Sequence, residues 1–104
     1  PGDGRYVLQR LKQYNGIAQE SNNKEILDAI LLLARTEGIF TEPAGGVSVA
    51  VVKKMVEDGK IDKDETTVCY VTGNGLKATE SIMDVLPRPQ VMQPDVAKIS
   101  AVVK

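Results

Sequence analysis

The chain has 104 residues, enough for one domain, and its 42% hydrophobic and 26% charged residues are ordinary for a globular protein. A net charge of −1 gives no electrostatic footprint for nucleic acid, and one cysteine with no histidine argues against a metal site. No apolar run approaches the roughly 18 residues of a membrane span, and the first residues lack the layout of a signal peptide. With one Phe, three Tyr and no Trp, the core must come from Val, Ile, Leu, Ala and Met. Residues 1–4 read as a turn or entry loop. Asp3 can cap a helix over residues 4–14, with Val7, Leu8, Leu11 and Tyr14 as its apolar stripe. Asn15 and Gly16 end it, since both tolerate a left-handed backbone. Residues 17–20 suit a short edge strand.

Ser21 or Asn22, the latter with Glu25 three residues on as in a capping box, caps a helix over residues 23–37. Its apolar arc is broad: Ile26, Ala29, Ile30, Leu33 and Ala34, widened by Leu27, Leu31 and Leu32. Gly38 is the natural C-cap, and residues 39–41 form an extended link. Glu42 and Pro43 open the next helix, with proline in the first turn where its missing N–H costs nothing. That helix carries Ala44, Val47, Ala50, Val51, Met55 and Val56 inward and stops at Gly59. Its valine-rich middle has poor helix propensity, so burial against a sheet is expected to hold it.

A polar turn at 61–65 leads to TTVCYV, residues 66–71, which read as a strand buried on both faces. Cys69 lies within it; as the lone cysteine it forms no internal disulfide, and a buried free thiol suits the reducing cytoplasm. Residues 78–85 suit a short helix, ended by Pro87 and Pro89. Residues 91–103 read as an extended or partly helical tail. The expected fold is α/β, with layered helices on a short, mostly parallel sheet over residues 1–86 and a proline-containing tail over 87–104. Three short strands are few for a self-sufficient sheet, which points to a missing partner segment. The absence of an initiator methionine and the opening in turn chemistry also suit a fragment.

Two glycine-rich turns stand out: Glu42-Pro43-Ala44-Gly45-Gly46 at a helix start, and Thr72-Gly73-Asn74-Gly75 at a strand end. Glycines there let a backbone approach a ligand, and a helix start favours anions. The plainer alternative is turn chemistry alone; two such turns on one sheet edge shift the balance towards a site. Gly73-x-Gly75-x-x-Ala78 also matches a dinucleotide fingerprint weakly, because the helix after it is short and Asp95 does not clearly end a strand. A P-loop spacing is absent.

ARTEGIF, EPAGG and TGNGLK occur in one order and spacing, at residues 34–40, 42–46 and 72–77. With PGDGRYVLQ at 1–9, they make residues 1–77 similar to the C-terminal part of the threonine synthases, pyridoxal-phosphate enzymes of the tryptophan-synthase-β-like fold. Threonine dehydratases share the EGIF and EPAG portion but usually carry a serine-and-glycine loop where this chain has TGNGLK. The resemblance implies that Thr72 hydrogen-bonds the pyridine nitrogen of pyridoxal phosphate, as a milder electron-withdrawing partner than a carboxylate. It implies that Gly73, Asn74 and Gly75 bring the loop close to the ring, and that Glu42 faces the cofactor from its helix start. The alternative for Glu42 is a charge serving the helix dipole; for Thr72 it is a bond to its own turn.

No catalytic residue is expected in this chain. The family's cofactor-binding lysine, its phosphate-cradling loop and its substrate-phosphate residues belong to an earlier part of the enzyme. Lys77, Lys53 and Lys54 read as surface charges. The implied activity of the complete enzyme converts O-phosphohomoserine and water to threonine and phosphate, with this chain alone inactive. The implied partners are the rest of that enzyme or a second copy of the chain, with neither nucleic acid nor membrane. A standalone nucleotide-binding module and a purely structural domain are the readings of other classes.

Overall fold

The computed structural model describes residues 2–89 and 91–102. Residue 1 of the entry loop and residues 90, 103 and 104 of the tail lie outside them. Four α-helices form, α1 (Gly4–Gln13), α2 (Asn23–Glu37), α3 (Pro43–Glu57) and α4 (Val96–Val102), with 3-10 turns at Gly75–Lys77 and Thr79–Ser81.

The centre is the crossing of α2 and α3. Helix α2 starts as its sequence dictates: the Asn22 side chain accepts the Glu25 N–H at 3.0 Å, and the Glu25 carboxylate accepts the Asn22 N–H at 2.8 Å. It ends at Gly38, in the left-handed region at φ 67°. Helix α3 begins with Glu42 as N-cap and Pro43 in the first turn, then runs to Glu57, with Asp58 as C-cap. Small residues let the two helices approach closely: Ala29, Gly45, Gly46 and Ala50 are buried, with Ile30 between them at 1% exposure. A β-carbon at Gly46 would sit 2.7 Å from Ile30 Cγ1 and 3.0 Å from Ile26 Cγ2. Lys54 adds an ion pair to Glu25 at 3.6 Å across the helices.

The expected sheet is absent among the described residues. The only ladder contact among them is an isolated antiparallel bridge between Thr41 and Asn74. Residues 17–20 and 66–71 adopt no regular structure and pair with no neighbouring strand, and Val68 and Tyr70 are 74% and 78% exposed. A strand exists only through hydrogen bonds to a neighbour, and neither segment has one here. Helix α3 is therefore held by α2 rather than by a sheet. Cys69, expected to be buried, is half-buried on this unpaired segment. The short helix expected over 78–85 is a 3-10 turn followed by further turns, with Ile82 buried. Asp3 precedes α1 without a side-chain capping bond, and the helix ends through Asn15 at φ 52°.

Much apolar surface stays uncovered. Among the described residues the buried apolar side chains are Ala29, Ile30, Ala50 and Ile82 alone. Helix α1 buries nothing, and Val7, Leu8 and Tyr14 on its apolar stripe are all more than half exposed. The radius of gyration is 18.6 Å, against about 13 Å for a compact domain of this length. No helix among the described residues is long and apolar enough to cross a membrane.

Candidate functional site

The two glycine-rich turns meet. The link 40–42 runs antiparallel to the loop 73–75 and is stitched to it by three hydrogen bonds. Gly75 N–H donates to the Phe40 carbonyl at 3.0 Å, and Glu42 N–H donates to the Gly73 carbonyl at 3.1 Å. The Thr41 hydroxyl donates to that same Gly73 carbonyl at 2.9 Å. Thr41 is 1% exposed, the most buried polar residue of the described chain. Because α3 starts at Pro43, this stitching fixes the loop against the helix N-terminus.

Side chains fill the space that the loop glycines leave. A β-carbon on Gly73 would collide with the Glu42 carboxyl group. One on Gly75 would lie 2.5 Å from the Phe40 ring. Neither glycine has a positive φ, so what they supply is room rather than backbone freedom. Gly73 and Gly75 are buried, Asn74 and Thr72 are exposed, and the Glu42 side chain is 20% exposed.

The polar groups divide the work. Asn74 Oδ1 accepts the Leu76 N–H at 2.9 Å and caps the 3-10 turn. Thr41 holds the loop carbonyl. Bonding of the turn thus falls to Asn74 and Thr41, and Thr72 is exposed. Glu42 makes no side-chain bond to the helix it caps; its Oε2 lies 3.2 Å from the Lys77 ammonium. Lys77, read from sequence as a surface charge, is 67% exposed yet belongs to this cluster. Sequence reasoning assigned Thr41 and Phe40 no role at the site, and Lys77 only that of a surface charge. The one local clue was that Phe40 and Lys77 end the EGIF and TGNGLK motifs. No group of three or more metal-ligating side chains occurs among the described residues.

The start of α3 and the loop 73–75 are thus joined into one junction, with Thr72 and Asn74 exposed beside it. The family described as pyridoxal-phosphate dependent enzyme matches residues 1–73, and the chain belongs to that family. Among curated relatives, the threonine synthase of Methanocaldococcus jannaschii is 36% identical over the whole chain, which corresponds to 26% of that protein. The threonine synthase of Halalkalibacterium halodurans is 38% identical over 91% of this chain and 27% of its own length. That of a Bacillus species, strain ULM1, is 47% identical over 74% of this chain and 22% of its own length. The chain thus spans about a quarter of the length of these relatives.

Proposed function

We propose that this chain is the C-terminal part of a threonine synthase. The complete enzyme converts O-phosphohomoserine and water to threonine and phosphate. Phosphate leaves Cγ, and the hydroxyl from water ends on Cβ. Residues 1–86 form the portion of the enzyme that lines the pocket, and 87–104 a tail. The observation that carries this reading is the junction of Glu42 with the loop 73–75 beside an exposed Thr72. Those are the positions at which the motif similarity expects the cofactor ring.

The residues present fit pyridoxal phosphate on one side. When bound, that group supplies an electron sink for charge developing on the substrate carbon. Thr72 offers a neutral hydroxyl to the ring nitrogen. Gly73 and Gly75 admit the Glu42 carboxyl group and the Phe40 ring against the loop backbone, which seats the loop beside the cofactor ring. Asn74 braces the loop from within, and its exposed carboxamide borders the same face. Glu42 sets a carboxylate at the pocket edge. The lysine that takes the aldehyde is supplied by the longer polypeptide, as are the groups that bind both phosphates. The segment 66–71 becomes a strand when that polypeptide brings it a neighbour, and the uncovered stripe of α1 packs on the same body. The complete enzyme belongs in the cytoplasm.

The test is to express the full-length polypeptide that carries this segment, load it with pyridoxal phosphate and supply O-phosphohomoserine. Phosphate and threonine should appear in equal amounts. Release of ammonia and a 2-keto acid from threonine, with no turnover of phosphohomoserine, would replace this reading with a dehydratase. The 104-residue chain alone should leave the absorbance of added pyridoxal phosphate unchanged.

A further inference from the structure

Glu42 is the N-cap residue of α3, yet its carboxylate is not used by the helix. It turns to the loop instead. Its N–H binds the Gly73 carbonyl at 3.1 Å, and its carboxyl group occupies the space where any side chain at Gly73 would lie. On the outer side the Lys77 ammonium meets Oε2 at 3.2 Å. Lys77 is itself held in place, because the 3-10 turn Gly75–Lys77 is capped by Asn74 and the Lys77 N–H donates to the Asn74 carbonyl at 3.2 Å. Three residues therefore enclose one carboxylate: Gly73 by having no side chain, Glu42 by its own backbone bond, and Lys77 by charge.

We propose that Lys77 is a positioning residue for the cofactor pocket. It clasps the Glu42 carboxylate over Gly73 and so fixes the loop that presents Thr72. This rests on the pyridoxal-phosphate reading above for what the loop faces, but the clasp itself is a property of this chain. An exposed lysine paired to a carboxylate is ordinarily worth little to stability. The role of Lys77 is accordingly local: it selects one position for the carboxylate and one for the loop, and leaves the α2–α3 crossing unaffected. Gly73 is required for the same reason, since its φ is not positive and its missing side chain is the seat of the carboxylate.

The experiment compares Lys77→Met, Lys77→Arg and Glu42→Gln in the full-length polypeptide, alone and loaded with pyridoxal phosphate. Hydrogen exchange is read on peptides covering residues 40–46 and 73–77, with a peptide from 23–37 as the reference. Lys77→Met should speed exchange in both site peptides by about fivefold and leave the reference unchanged. Lys77→Arg should restore the slow rate, and Lys77→Met should add nothing once Glu42→Gln is present. In the loaded protein, Lys77→Met should shift the cofactor fluorescence maximum, and Lys77→Arg should return it. Unchanged exchange in Lys77→Met, or additive effects of the two substitutions, would overturn the clasp. Altered exchange with an unchanged cofactor spectrum would overturn its part in the pocket. A polypeptide that takes up no pyridoxal phosphate would defeat the functional reading, while the exchange data still decide the clasp.

Discussion

Phe40 and Gly75 are a matched pair. The Phe40 carbonyl accepts the Gly75 N–H at 3.0 Å, and the Phe40 ring fills the side-chain space of Gly75. The only phenylalanine of the chain therefore packs on the loop backbone at Gly75. Gly75→Ala drives a methyl group into an aromatic ring with no strain in φ to relieve. The expected cost is about 1–3 kcal/mol, the range for overpacking, read by chemical denaturation. Phe40→Leu in the same chain should recover part of it, because a smaller side chain yields the space. Equal losses with and without Phe40→Leu would show that the ring is not the obstacle.

The hydroxyl of Thr41 gives a second, milder prediction. The Gly73 carbonyl it binds also accepts the Glu42 N–H, so Thr41→Val leaves that acceptor satisfied. The loss should be that of one ordinary hydrogen bond, about 0.5–1.5 kcal/mol, not the larger penalty of an orphaned buried group. Thr41→Ser keeps the oxygen and should cost less than Thr41→Val. The reverse order would mean that the methyl group, not the hydroxyl, holds the site.

The parts of the chain that were legible in the sequence are those whose causes are local. Asn22 and Glu25 announce the start of α2, Gly38 its end, and Pro43 the start of α3, because each signal acts within a few residues of itself. The two glycine-rich turns were expected on one edge of a sheet; they meet instead through direct hydrogen bonds between residues 40–42 and 73–75, with no sheet among the described residues. The parallel sheet was not borne out, because a strand depends on a neighbour. TTVCYV keeps its strand-like composition while Val68 and Tyr70 stand exposed with no ladder to join. The Lys77–Glu42 pair was missed for a related reason: a contact across 35 positions leaves no periodicity to read, and a lone lysine in a loop looks like any solvated charge.

The capping box provides a check on α2 independent of the site. Asn22→Ala removes the acceptor for the Glu25 N–H and should cost about 1 kcal/mol. Glu25→Gln keeps a side-chain acceptor for the Asn22 N–H but loses the charge facing Lys54 at 3.6 Å. It should cost less than Asn22→Ala, since a partly exposed ion pair contributes little. Helix content by circular dichroism across a denaturant series separates the two.

Cys69 yields a pH prediction. Partial burial pushes its thiol above the ordinary value by disfavouring the thiolate. At neutral pH it should react with a disulfide reagent more slowly than the same thiol in denaturant. The sign for stability follows from the raised value. Below the ordinary thiol range both folded and unfolded chains carry the proton, and pH has no effect through this group. As pH rises through that range the unfolded chain loses its proton first, so the fold loses stability. Cys69→Ser should remove that alkaline component; an unchanged alkaline slope in Cys69→Ser would assign it elsewhere.

The uncovered apolar surface makes the last prediction. Tyr6, Val7, Leu11 and Tyr14 line an open groove along α1, and the buried apolar residues of the described chain are too few to form a core around it. A fully buried apolar side chain is worth about 1.5–3 kcal/mol, so covering this stripe would contribute several kcal/mol against a total of roughly 5–15 for a typical domain. The 104-residue chain in isolation should therefore bind a hydrophobic dye and self-associate, seen as a concentration-dependent mass by light scattering. Val7→Asp should weaken that association and leave the α2–α3 crossing intact, because α1 does not contribute to it. Joining the chain to the rest of the longer polypeptide should abolish both signals, since the same stripe is then covered in its own fold. A monodisperse, dye-silent and highly stable monomer of 104 residues would show that the exposed stripe needs no cover.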